Sequence, residues 1–369
     1  MDRLRHRLSL MTILMAVLLA ACSSSPTGQG VAATAAVATT LPTPPPAATV
    51  RPPLPSAPSA AAPSTTLAAT AAPAPAPGLT GRFAYNTPDG NIWVVNADGT
   101  HRLQVTRAGG NDLDPSWSMD GTQLVLRTSR GHYAPDRQGT GTEGIFIAQA
   151  DGSGERQLYP PNAQTIGGLF PDWSPDGKWI AFSGLRADGS ETIYRINPDG
   201  SGLTDLGAPN GSGECAEWSP DATKILVCSQ PGNGAWQVWV MDADGSHQKQ
   251  LTDAPPGRPG GMGGSMAAIW SLDGTQFAFS SDRDGGNNDV YVMNADGSHE
   301  RQLTNRPGGQ SPEVWLPDGR ILITDWSVGK DLPDWYVISA QDGSMLGSMP
   351  ALQGGNSPID WTPQALTGS

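Results

Sequence analysis

The sequence is poor in the residues that build helical, disulfide-stapled or nucleic-acid-binding proteins. Of 369 residues only 15% are charged, 7% are aromatic and 3 are cysteine. The cysteines, Cys22, Cys215 and Cys228, are too few for a disulfide scaffold and lack the Cys-x-x-Cys spacing of a zinc site, so any metal would have to be held by oxygen. Basic residues are scarce as well. Lys and Arg number 22 against 35 Asp and Glu, and the net charge of -13 repels phosphate backbones and argues against a nucleic acid partner. Glycine (46) and proline (34) are abundant and imply a chain dominated by turns.

Arg3, Arg5 and Arg7 precede an apolar run, Leu8 to Ala21, that is shorter than the roughly 20 residues of a membrane-spanning helix and reads as an export signal. It closes on Leu19-Ala20-Ala21-Cys22, which resembles the lipobox of bacterial lipoproteins. The resemblance implies acylation of Cys22 and anchorage in the lipid bilayer, on the extracytoplasmic face of a bacterial membrane. Residues 1–22 are therefore expected to be signal and lipobox. Residues 23–80 hold 13 prolines and one charged residue, Arg51, and bury too little to offset their ordering entropy. A disordered, semi-rigid Ala/Pro/Ser/Thr-rich tether is expected there.

Internal repetition fixes the expectation for residues 81–369. Trp117-Ser-Met-Asp-Gly, Trp173-Ser-Pro-Asp-Gly, Trp218-Ser-Pro-Asp-Ala, Trp270-Ser-Leu-Asp-Gly, Trp315-Leu-Pro-Asp-Gly and Trp361-Thr-Pro-Gln are six versions of one turn. Asp-Gly pairs at Asp98, Asp151, Asp199, Asp244, Asp296 and Asp342 interleave with them. The short runs between, such as Val290-Tyr-Val-Met, are apolar at both parities, as strands buried on both faces must be. Four antiparallel strands repeated radially make a propeller blade, and six units make an all-β six-bladed propeller. The N-terminal stretch lacks a turn tryptophan and Ser357 to Trp361 is an inner strand without successors, so N- and C-terminal strands should pair in blade 1 and close the ring.

The strings Trp173 to Phe182 and Tyr291 to Thr304 resemble the repeat of TolB-like six-bladed β-propellers. The resemblance implies that fold across residues 81–369; it does not carry TolB's own role, because a tether stands here in place of TolB's N-terminal domain. Nor does the chain contain the Gly-x-Ser-x-Gly elbow of a fused serine peptidase.

Blade topology puts the Trp turns and Asp-Gly turns on one face and the variable loops on the other. Two insertions fall on the variable face, one with Arg130, His132, Tyr133 and Arg137 and one with Arg258, and these are candidate ligand-binding residues. Trp326 and Trp335 are a candidate sugar-stacking pair. Asp114, Asp172, Glu217, Glu313 and Asp360, just before the turn tryptophans, are expected around the channel mouth on the variable face, where carboxylates could gather a calcium ion. His101, His247 and His299 repeat in exposed turns and cannot share a metal. A hairpin placing Trp218 opposite Ile225 also sets Cys215 opposite Cys228, in reach of a disulfide. Two functions are compatible with this pattern. One is a monomeric, non-catalytic module binding an envelope protein segment, glycan or cation; the other is an enzyme acting on an envelope polysaccharide or peptide, with the carboxylates or His132 as acid/base groups.

Overall fold

A computed structural model describes residues 76–107, 111–129, 144–159, 165–231, 234–255, 264–284, 286–327 and 330–363. Among them the strands form six four-stranded antiparallel sheets, five built from consecutive strands and one closed from both chain ends. In the closing sheet Asn356–Thr362 pairs with Arg82–Asn86, Phe83 opposite Trp361 and Ala84 opposite Asp360. The other inner strands are Asp112–Trp117, Thr165–Trp173, Glu214–Trp218, Ser265–Trp270 and Gly309–Trp315, for blades 2 to 6. Each inner strand neighbours the next around the ring, so the six surround a central channel.

The apolar core is divided among the seams between blades. Trp117 packs with Ala84, Ile92 and Val94 of blade 1, and Trp218 with Ala181 and Ile193 of blade 3. Each turn tryptophan thus wedges its own blade against the preceding one, a position where truncation to alanine costs about 3–5 kcal/mol.

Two further devices tie the blades together. Basic side chains reach backbone carbonyls of the next unit: Arg82 to Gly121, Arg156 to Pro198, Arg195 to Ala243, Lys249 to Asp296, Arg301 to Gln341, and Arg320 to Pro77 in the entering chain. Six of the scarce cations thus engage carbonyls and others pair with carboxylates, as Arg127 does with Asp114 and Arg186 with Asp205, while most turn aspartates keep only their own turn's hydroxyls and N–H groups. The second device is a β-bulge in every inner strand. Three residues before the tryptophan, Asp114, Phe170, Cys215 and Ala267 have φ of 52, 50, 57 and 50°, while blades 6 and 1 carry Pro312 and Pro358 there. Such bulges bend a strand and re-aim the side chains that follow.

Candidate functional site

The bulges prepare the ends of the inner strands. The residue immediately before each tryptophan is Asp360, Ser116, Asp172 and Glu217 in blades 1 to 4, then Ile269 and Val314 in blades 5 and 6. Asp360 Oδ2 accepts the backbone N–H of Trp117 at 2.7 Å, Ser116 Oγ that of Trp173 at 3.1 Å, and Asp172 Oδ2 that of Trp218 at 2.7 Å. Ser116 also donates its hydroxyl to Asp172 Oδ1 at 3.0 Å. One side of the channel is thus a polar arc clasping each blade to the next, and the other side is aliphatic.

Asp172, Glu217 and Asp360 feel one another although they come from three blades. Burial is the main cause of their shifts. It raises Asp172 to about 7, against the Trp218 hydrogen bond and with a further push from Asp360. Asp360 is raised to about 6 by burial, held back by the Trp117 and Trp361 N–H groups. Glu217 rises well above the usual carboxylate range through burial and its repulsion by Asp172 and Asp360. All three are half-buried, deep in the ring yet touched by solvent. Like charges gathered in this way favour proton sharing or a cationic guest.

A second group lies nearer the strand starts. Arg127 is paired with Asp114, and its guanidinium lies over the Phe170 ring at 5.6 Å from the centroid. Burial, with Glu191 adding to it, raises Glu214 to about 7 while Arg127 holds it down. Glu313, 9% exposed, accepts from Ser357 Oγ at 2.8 and 2.9 Å and from Thr324 Oγ1 at 2.9 Å, and burial raises it to about 7.

The five sequence-chosen carboxylates therefore do not form one ring at the variable mouth. Inner strands run from the variable face to the Trp turns, so residues next to the tryptophan lie at the Trp-turn end; Glu313 and Asp114, two and three residues earlier, lie apart on their own partners. Among the described residues no group of three or more His, Cys, Asp or Glu is arranged to hold a metal ion. Trp335 is a core residue, 4% exposed, so the Trp326 and Trp335 stacking pair is not present; Trp326 alone is exposed, at 38%. Trp218 does face Ile225, but the bulge puts Glu214, not Cys215, opposite Cys228. Both cysteines are free thiols, and a hydrogen bond to Cys228 helps to raise the Cys215 thiol. Arg130, His132, Tyr133, Arg137, Arg258 and Cys22 lie outside the described residues. Sequence reading missed Arg127 and Glu214, whose only signal was proximity to the first insertion and to the bulge.

No family model matches the chain. It is 26% identical over 249 residues to an uncharacterized protein of Agrobacterium fabrum, covering 63% of this chain and 80% of that one. It is 34% identical over 163 residues to a TolB homolog of Chlorobium luteolum, covering 44% of this chain and only about a third, 34%, of that protein. The fold resembles the crystal structure of TolB from Acinetobacter baumannii with a TM-score of 0.60 at 18% identity, over 78% of this chain and 68% of that one.

Proposed function

On this TolB-like six-bladed propeller, we propose a non-catalytic binding module, anchored outside the cytoplasm through an acylated Cys22, whose channel and loop face receive a protein segment, glycan or cation. A cationic side chain is the guest the channel fits best. The observation that carries this reading is the collar of Asp172, Glu217 and Asp360, three mutually repelling carboxyls from three blades. An ammonium or guanidinium group entering the collar would relieve that repulsion. Calcium fits less well, since it takes six to eight oxygen ligands and two of the three carboxylates already accept backbone N–H groups. The test is a peptide and glycan array probed with the full-length chain, with and without calcium. Selective capture of basic peptides supports a cationic guest for the channel, and binding to neutral glycans alone contradicts that choice of guest while keeping a binding module. Cys22→Ser should leave an uncleaved or soluble precursor, because acylation needs the thiol.

The competing reading is an enzyme of envelope polysaccharides or peptides. It is favoured by Asp172 and Glu313, both raised to about 7, the range in which a carboxyl can act as general acid or base at neutral pH. Turnover of either substrate class that disappears in Glu313→Gln would establish it.

A further inference from the structure

We propose that residues 76–79 are a mechanical clamp, which catches tension arriving along the N-terminal tether on blade 6 before it loads the strand pair that closes the ring. In blades 2 to 6 the inner strand turns directly into the second strand, and a backbone bond such as Ser271 N to Gln276 O at 2.9 Å closes the turn. Blade 1 lacks that covalent link. Its inner strand, Asn356–Thr362, runs on toward the C-terminus, while its second strand, Arg82–Asn86, arrives from the tether. Only pairing and packing hold these two strands together. A pull from upstream would act straight on them if nothing intervened.

What intervenes is a series of holds, met in chain order. Ala76 N–H donates to Ser348 O at 2.8 Å and Pro77 O accepts from Arg320 Nη1 at 2.8 Å, so the first two are both on blade 6. Arg320 is fixed in turn by Asp318, whose Oδ2 accepts its Nε at 2.7 Å. Ala76 and Leu79 then rest on the apolar cluster of the seam, which joins Leu316 and Leu322 of blade 6 to Phe83 and Ile359 of blade 1. Thr80 O accepts Trp361 Nε1 at 3.0 Å. Gly81 lets the chain pass this close: its φ is 94°, and a Cβ there would lie 2.3 Å from Thr362 O and 2.7 Å from Trp361 Nε1. All of these positions precede Arg82. Tension therefore enters at Ser348 and Arg320, in a blade whose four strands are consecutive in the chain, and the pairing of Phe83 with Trp361 is spared until those holds fail.

The tension would come from the membrane through acylated Cys22, so the clamp's role rests on that anchorage. Its test needs no membrane, and either reading can fail without the other. The test is constant-force optical tweezers on the full-length chain, with clickable residues in place of Ala60 in the tether and of Ala187, exposed in a blade 3 turn. Forced unfolding reads the rate of opening under load. The wild type is expected to open in one event, and Leu79→Ala with Arg320→Ser to open about tenfold faster or more at the same load, because a charged hydrogen bond and an apolar contact are gone. With the first handle moved to Gln341, exposed in a blade 6 turn, the load bypasses residues 76–79 and the two proteins should open at the same rate. Equal rates through the tether would overturn the proposal, as would an acceleration that is equally large through Gln341. So would a wild type that first releases up to about 20 Å, six residues at ~3.3–3.6 Å each, and then opens like the variant, since the segment would yield before the pair it is meant to spare.

Discussion

The backbone N–H of Trp117 donates to Asp360 Oδ2 at 2.7 Å, linking residues 243 positions apart across the seam where the ring closes. Asp360→Ala leaves that N–H without its acceptor and should cost about 1–3 kcal/mol, whereas Asp360→Asn, which keeps an acceptor oxygen, should cost less. Deleting residues 356–369 removes the whole closing strand and should abolish the cooperative transition seen by calorimetry. A deletion that melts like the full chain would mean that the ring does not depend on this strand.

The collar fixes the sign of the pH dependence. Asp172, near 7, and Asp360, near 6, hold protons more tightly in the folded protein than in the unfolded chain. Their contribution to stability is complete below about pH 4 and is lost as pH rises through 6 and 7. Turn aspartates such as Asp120 and Asp221, lowered by their own turn's hydrogen bonds, act in the opposite direction and lose their contribution as pH falls. Glu217→Gln should therefore leave the melting temperature unchanged at pH 5 and raise it at pH 8. Parallel shifts at both pH values would contradict the electrostatic coupling.

Ala222 occupies a glycine position in its Trp turn and has φ of 56°. A left-handed conformation costs an alanine roughly 1 kcal/mol. Ala222→Gly should recover most of that and raise the melting temperature by about 2–4 °C in a domain of this size. A lower melting temperature would show that the loss of the methyl outweighs the relief of strain.

Cys215 and Cys228 are thiols in hydrogen-bond contact on neighbouring strands of blade 4. Export to an oxidising compartment would convert them to a disulfide, with two electrons and two protons passing to a disulfide-bearing oxidant. The short loop would stabilise by about 3 kcal/mol at most. Expected is a loss of both titratable thiols in the denatured, unreduced protein; two reactive thiols would contradict it.

The fold was legible because its markers are chemically constrained. A wedge between blades needs Trp117 and its counterparts, and a left-handed turn position favours glycine, so both recur in register. The bulge left no such mark, since Asp114, Phe170, Cys215, Ala267, Pro312 and Pro358 share an offset but no chemistry. That omission displaced the site. Asp172, Glu217 and Asp360 directly precede a tryptophan, while Glu313 and Asp114 stand one and two residues further back, enough to separate their environments. The cation clasps were equally hidden, because carbonyls such as Gly121 O belong to the backbone and have no sequence signature.

The most direct test of the channel reading is a thermal melt at pH 8 of the full-length chain and of its Asp172→Asn, Glu217→Gln double variant, each with and without millimolar Gly-Arg-Gly or calcium. A guest bound at a hundredfold excess over its Kd stabilises the folded state by about 2.7 kcal/mol. Expected is a rise in melting temperature for the wild type with the arginine peptide, no rise for the double variant, and a double variant without ligand at least as stable as the wild type. Superimposable wild-type curves with and without the peptide, or a rise that survives in the double variant, would contradict a cation-receiving collar.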